Sequence, residues 1–388
     1  MRAYAAGIGV GFAVGWNITN VGAVATDLSR DYGVGLATIG LFTTAQFLIH
    51  MSAQIPAGRA ADRFGARRVG LAACGLLAGA NALALIAPNA WLALIAKALC
   101  GLGTGLGFVS GSDYVRASGG SAIAQGVYGG GTVAAPGIAL AAVPQLSGPL
   151  GFRAPYASAI FVAIVFLLVL ATAPETPKAP RHPGEALGGE LLRDRRLYRF
   201  AAIHTASFGL SVVVGNWLVT LLRKHGEPHE AAAITGSLTL LLGFFTRVLG
   251  GWILLRRPLL ALAAVAWSLV LGGAGTILLA APLPFPVLVA AAALVGLAAG
   301  VPFAVAFSGA AAARPDAPGA AVGFVNAWAA FSIVAGTPLL GLAFSLPGEG
   351  RLGFFVVGIL WMLAALATPR SVDPGASAAG TPTPAQKA

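Results

Sequence analysis

The sequence predicts an all-helical membrane protein of twelve transmembrane helices in two pseudo-symmetric six-helix halves, and three observations carry that prediction. The 388 residues are 57% hydrophobic and only 10% charged, with a mean hydropathy of +0.83; a soluble domain of this length does not sustain that balance. Apolar stretches of about 20 residues, the length that crosses a hydrocarbon core of about 30 Å, recur along the chain. The segment Gln54-Ile-Pro-Ala-Gly58-Arg59-Ala-Ala-Asp62-Arg63-Phe-Gly65-Ala-Arg67-Arg68 also has a degraded second copy starting at Arg247, 193 residues on. Gln54 then corresponds to Arg247, Gly58 to Gly251 and Arg63 to Arg256.

The predicted spans cover 3–26, 36–57, 69–87, 90–112, 122–146 and 155–173, then 200–222, 232–255, 259–281, 287–312, 320–346 and 352–368. The first resembles a secretory signal ending at Ala23-Val-Ala25. Its length and its Asn17 and Asn20 favour an uncleaved span. Residues 1–173 form the first half, 174–198 a polar central loop, 199–369 the second half, and 370–388 a Pro-, Ala- and Gly-rich tail expected to be disordered. Within the loop, Leu191 to Tyr198 reads either as an interfacial helix with Leu and Tyr against lipid or as a solvated charged turn.

Basic residues set the orientation. Of the 24 lysines and arginines, only Arg30, Arg153, Arg223, Lys224 and Arg351 fall on the side away from Arg59, and Lys97 and Arg247 lie within the membrane. The Arg59 side is therefore expected to be cytoplasmic, with both termini on it, in a plasma membrane. The net charge of +11 is spread over these loops and forms no basic face for nucleic acid. Cys74 and Cys100 lie inside spans without metal or disulfide spacing and are expected to pack.

Twelve spans split six and six, the residues Gly58, Asp62, Arg63, Gly65, Arg67 and Arg68 after the second span, and Pro174-Glu175-Thr176 after the sixth together resemble the major facilitator superfamily. The likeness covers the chain to about Thr368. It implies two helical halves around a central cavity, exposed alternately to either side, and it implies that those six residues gate the cytoplasmic end against the start of the eleventh span. Physically, Asp62 can accept from the free N–H groups at a helix start, where the dipole favours negative charge. Lys97-Ala-Leu-Cys-Gly101-Leu-Gly103 is similar to a superfamily motif tied to proton movement, with lysine where the family has arginine. Gln54-Ile-Pro and Arg247-Val-Leu-Gly-Gly are similar to paired positions of nitrate/nitrite porters and cyanate-type anion carriers, but only one arginine is retained. The Ala135-Pro136-Gly137 run departs from the antiporter signature of drug-efflux members.

An ionisable group in a span costs about 2.5–3.5 kcal/mol on insertion scales, so each calls for a reason. Arg247 offers a planar fork suited to a carboxylate or a similar anion. Gln46, His50 and Gln54 recur every four residues and form one polar stripe on the second span, expected to face the cavity because lipid offers no partners. Asn17 and Asn326 are further candidate solute donors; Asn17, Asn20 and Asp27 share a face of the first span. His50, Lys97 and His204 are the candidate proton carriers. The chain contains no P-loop, metal spacing or nucleophile with its base, so neither an enzyme nor a nucleotide-driven pump is expected, and no cofactor. The function expected is secondary active transport of a small polar or anionic solute, taken up or exchanged, by a monomer in a lipid bilayer, with protons as a candidate coupling ion. Proton-coupled efflux of drug-like amphiphiles is the alternative.

Overall fold

The computed structural model describes residues 2–177, 189–344 and 346–369. The tail from 370 and the loop residues Lys178 and Arg181 lie outside the described residues. Within the described residues the fold is built from twelve helical rods. In the first half these are α1 (Arg2–Thr19, continuing after a short turn as Ala25–Tyr32), α2 (Leu36–Phe64), α3 (Ala66–Ala84), α4 (Ala90–Ala117), α5 (Ala122–Leu150) and α6 (Ala154–Ala171). In the second they are α7 (Arg195–His204, a π-helical Thr205–Leu210 and Ser211–Lys224), α8 (His229–Arg256), α9 (Pro258–Ala280), α10 (Phe285–Gly300 with Pro302–Ala313), α11 (Pro318–Ala343) and α12 (Arg351–Leu363).

Local chemistry sets the helix limits. Asn89 caps α4 by accepting from the N–H groups of Trp91 and Leu92, and Ser121 caps α5 in the same manner. Pro258 and Pro318 open α9 and α11, where a missing N–H costs nothing, and Pro302 restarts α10 after its break. Among the described residues, eight stretches are long and apolar enough to cross a membrane, one of them covering α5 and α6 together. The rods α2, α3 and α12 are not among them. In α2 the polar stripe and the charged end lower the apolar average, and α12 has only 13 residues.

The second helix is longer than the predicted span 36–57. It stays helical through Asp62 and Arg63, and the expected charged hinge shrinks to Gly65, whose φ of 92° suits only glycine without strain. The short helix Gly189–Arg193 precedes α7. Leu191 in it is fully buried instead of facing lipid, while Leu192 is exposed. Asp194 then caps α7, and its bonds to Arg196 hold the carboxyl below the usual carboxylate range.

The two halves meet along two tight crossings of the same design. At the first, between α2 and α11, a side chain on Gly58 would overlap the Gly319 carbonyl, and one on Gly323 would overlap the Gln54 carbonyl. At the second, between α5 and α8, a side chain on Gly251 would overlap the Ala122 carbonyl, and one on Gly126 would overlap the Arg247 carbonyl. The internal repeat is thus visible in space: Gly58 and Gly251 play one part, Gln54 and Arg247 another. Both crossings lie toward the end of the bundle that carries Arg63, Arg67, Arg68 and Arg256, here called the basic end. Farther along, a methyl group added to Gly40 of α2 or to Gly137 of α5 would meet nothing within 4 Å. Small residues let helices approach closely where apolar burial gives no preference over lipid.

This predicts a contrast between two equal substitutions. Gly323→Ala must push α2 from α11 and should lower the melting temperature of the purified protein, the overpacking costing about 1–3 kcal/mol. Gly137→Ala should leave it unchanged or raise it slightly through helix propensity, by up to about 1 kcal/mol. Equal melting curves for the two variants contradict the assignment of the crossing.

Candidate functional site

At mid-depth a buried polar group joins both halves. Arg247 on α8 is 3% exposed. Its Nη1 donates to the Gly129 carbonyl at 2.6 Å and to Thr132 Oγ1 at 3.1 Å, both on α5 of the other half. Phe303 and Phe208 cover the guanidinium, with ring centroids 4.6 and 5.2 Å from its carbon, a cation–π arrangement that strengthens away from water. Both hydrogen-bond partners are neutral, and among the described residues Arg247 has no carboxylate partner.

Beside it runs a relay of hydrogen bonds. Thr104 Oγ1 donates to the Gly101 carbonyl at 3.0 Å, so it accepts from His50 Nδ1, also 3.0 Å away. His50 Nε2 is then the acceptor for Asn326 Nδ2 at 3.4 Å. Asn326 Oδ1 in turn accepts from His204 Nε2 at 3.1 Å. The inventory of donors fixes both tautomers and leaves His204 Nδ1 as a bare acceptor; among the described residues it is buried without a partner, as are Gln46 Oε1 and Gln54 Oε1. Buried polar atoms are usually satisfied; these three are not. The stripe expected on α2 is thereby buried, with Gln54 Nε2 donating to the His50 carbonyl at 3.1 Å.

The π-helical turn of α7 shapes the same centre. It carries Phe208 into a stack on His204, 5.4 Å between centroids, and such turns often mark functional sites. Phe108 of α4 reaches across to Phe208 and Phe307, at 6.3 and 5.8 Å.

Asn17 does not join this group. With Asn20 it lies inside the first half, where Lys97 Nζ donates to the Asn17 carbonyl at 2.7 Å and to Asn20 Oδ1 at 3.2 Å, while Asn81 Nδ2 donates to Asn17 Oδ1. Lys97, on α4, is thus buried and tied to α1. Asp27 is at the surface, paired with Arg30.

At the basic end, Asp62 accepts from the N–H groups of Gly319 at 2.9 Å and Ala320 at 3.0 Å. These are free donors of the first turn of α11, so the carboxylate both caps that helix and meets the positive end of its dipole. The other signature arginines point elsewhere. Arg67 donates to the carbonyls of Leu170 and Ala171 at the end of α6 and to Glu175 at 2.8 Å. Tyr114 donates to the Pro174 carbonyl. Pro174-Glu175-Thr176 is thus fastened within the first half. Arg63 lies over the Phe64 ring. Between the ends of α4, α5, α10 and α11 sits a cleft of about 350 Å³, bordered by Asp113, Arg116, Gln125, Ser308 and Pro318.

Thr132, Thr104 and the rings of Phe208 and Phe303 went unread in the sequence. Phe303 and Phe307 share a helix face at i, i+4, the one signal that they act together, but an aromatic pair in an apolar span usually packs a core.

A family model of the Major Facilitator Superfamily matches residues 7–267. The human organic anion transporter MFSD10 has a similar fold, with a TM-score of 0.74 and 18% identity over 95% of this chain and 99% of that one. The E. coli fucose:proton symporter FucP gives 0.72 and 14% over 94% and 97%. The proton:xylose symporter XylE gives 0.72 and 15% over 94% of each chain. No curated protein sequence matches. Twelve rods in two halves around a buried polar centre define a multi-pass secondary transporter. The chain belongs to the Major Facilitator Superfamily, whose members are as a rule transporters and not enzymes.

Asp62→Asn should fold and insert normally but transport more slowly, since the charge–dipole part of the cap, worth about 0.3–2 kcal/mol, is removed. Wild-type turnover in a well-folded variant contradicts a gating role for this contact.

Proposed function

We propose that this transporter carries a small anionic solute, by uptake or exchange, and that Arg247 is its receptor. One observation carries the reading: an enclosed guanidinium with only neutral partners among the described residues. A buried charge without its counter-charge is expensive, and an incoming anion supplies what the chain omits. Gln46, Gln54, His50 and Asn326, buried on the α2 stripe and on α11, would take the polar remainder of the solute. A single arginine, where nitrate/nitrite and cyanate-type carriers resemble a paired clamp, favours a monovalent organic anion over nitrate. The folds of an organic anion transporter and of proton symporters are compatible with this reading.

The basic end is the cytoplasmic one, so both termini face the cytoplasm of a plasma-membrane protein that works as a monomer without cofactor or nucleic acid. Gly58, Asp62, Arg63, Gly65, Arg67 and Arg68 belong to its closure, Asp62 as the latch and Arg67 as the brace behind it. The relay from His204 to Thr104 couples a proton to the solute: His204 Nδ1 takes the proton, and Asn326 and His50 spread the change across both halves. Lys97 holds α1 to α4 and keeps the first half rigid.

A thermal-stability screen against small anions, neutral metabolites and lipophilic cations tests this. A ligand at 100 times its dissociation constant adds about 2.7 kcal/mol. We expect an anion to stabilise the wild type and not Arg247→Ala, and its uptake to carry protons that His204→Gln fails to move. Stabilisation by lipophilic cations alone, unchanged in Arg247→Ala, contradicts the reading and puts efflux of amphiphiles first.

A further inference from the structure

Arg247 is held by the other half of the protein. Its Nη1 is taken by the Gly129 carbonyl and Thr132 Oγ1 of α5, and the Thr132 hydroxyl proton is itself directed to Gly129 O at 2.7 Å. The lone pairs of Oγ1 are therefore what Arg247 meets. Phe208 and Phe303 lie against the guanidinium, their ring centroids 5.2 and 4.6 Å from its carbon, and narrow the approach to it. Gly126 and Gly130 bring α5 close against the backbone of Arg247 and the ring of Phe244. A carboxylate that takes the Nη1–Nη2 edge through two parallel bonds must displace the acceptors that α5 places on Nη1.

We infer that α5 competes with the solute for Arg247, which makes Thr132 a specificity-determining residue and the Arg247–α5 contact a tie that solute binding releases. The inference rests on the proposed anion site. A carboxylate adds a full counter-charge to bonds that the arginine already charges from its own side, and so displaces a carbonyl and a hydroxyl. A neutral hydroxyl compound offers no such advantage and is refused. The α2–α11 crossing keeps its own tie, Asp62 on Gly319 and Ala320, so the solute loosens one crossing and leaves the other latched. Specificity and the first step of opening then share one set of atoms.

The test uses the full-length protein with acetate, benzoate and glycerol as probes, and compares wild type with Thr132→Val, Thr132→Ser and Arg247→Ala. Valine keeps the shape and removes the competing oxygen; serine keeps the oxygen. The carboxylate that binds wild type should bind Thr132→Val about tenfold more tightly, the worth of one hydrogen bond to a charged group, and Thr132→Ser with unchanged affinity. Glycerol should bind only Thr132→Val. A cysteine introduced by Ile123→Cys, beside Gly251, should react faster with a thiol reagent when the carboxylate is added. Equal or weaker carboxylate binding by Thr132→Val, or unchanged thiol reactivity, overturns the competition, while loss of binding in Arg247→Ala alone leaves the anion site standing. If neither acetate nor benzoate binds wild type or Thr132→Val, the anion site and the competition fall together.

Discussion

A positive charge that cannot leave the guanidinium, held where water is scarce, is the constraint on which the centre of this molecule depends. Arginine keeps its proton in proteins, so the surroundings must answer the charge. Here they do so incompletely, with one carbonyl, one hydroxyl and two aromatic faces. These groups come from three other rods: α5 gives the oxygens, α7 and α10 the rings. Their convergence requires close helix approach, and that explains the glycines at 126, 130, 250 and 251. It also gives the π-helical turn of α7 a purpose, since Phe208 reaches the guanidinium from within it.

The duplicated halves have diverged at their two shared crossings. Gln54 and Arg247 are equivalent by repeat, and each offers its carbonyl to a glycine of the opposing helix. One crossing is tied at its tip by a carboxylate on a helix start, the other at depth by a guanidinium on a helix side. A tie at the tip resists opening whatever occupies the centre. A tie at depth uses the group that would meet a solute. Two equivalent joints with unlike ties give the protein a means of making opening depend on load, because interfaces between packed bodies are bistable and do not deform gradually.

Much of this was legible in the sequence, and the failures have a common cause. Span positions, the repeat and the α2 stripe follow from periodicity, which one chain segment carries by itself. The contact of Asp62 with the start of α11 was implied by family resemblance, and the two short bonds to Gly319 and Ala320 match it. Partners across the bundle were not readable. Asn17 looked like a cavity group because polarity on one face says nothing of which neighbour that face meets; it meets Lys97 and Asn81. Which neighbour Arg67 meets was not readable either: it turns to the end of α6, since a charge beside Gly65 can reach either way. Leu191, open to lipid in one reading of its segment and to solvent in the other, is buried in the protein. Thr132 and Phe208 carried no signal, and the i, i+4 pair Phe303 and Phe307 reads as ordinary core packing until Arg247 is laid against Phe303.

The most direct measurement is an NMR titration of the protein carrying nitrogen-15 arginine, with the Arg247 side chain assigned from its absence in Arg247→Lys. The guanidinium nitrogens report both their hydrogen-bond partners and the exchange of their protons. Addition of the solute anion should shift the Arg247 signals and alter its Nη1 proton exchange as the Gly129 and Thr132 acceptors are replaced, with the other arginines left in place. Unchanged Arg247 signals at saturating anion would contradict its part as receptor, and with it the account of how the two halves are tied.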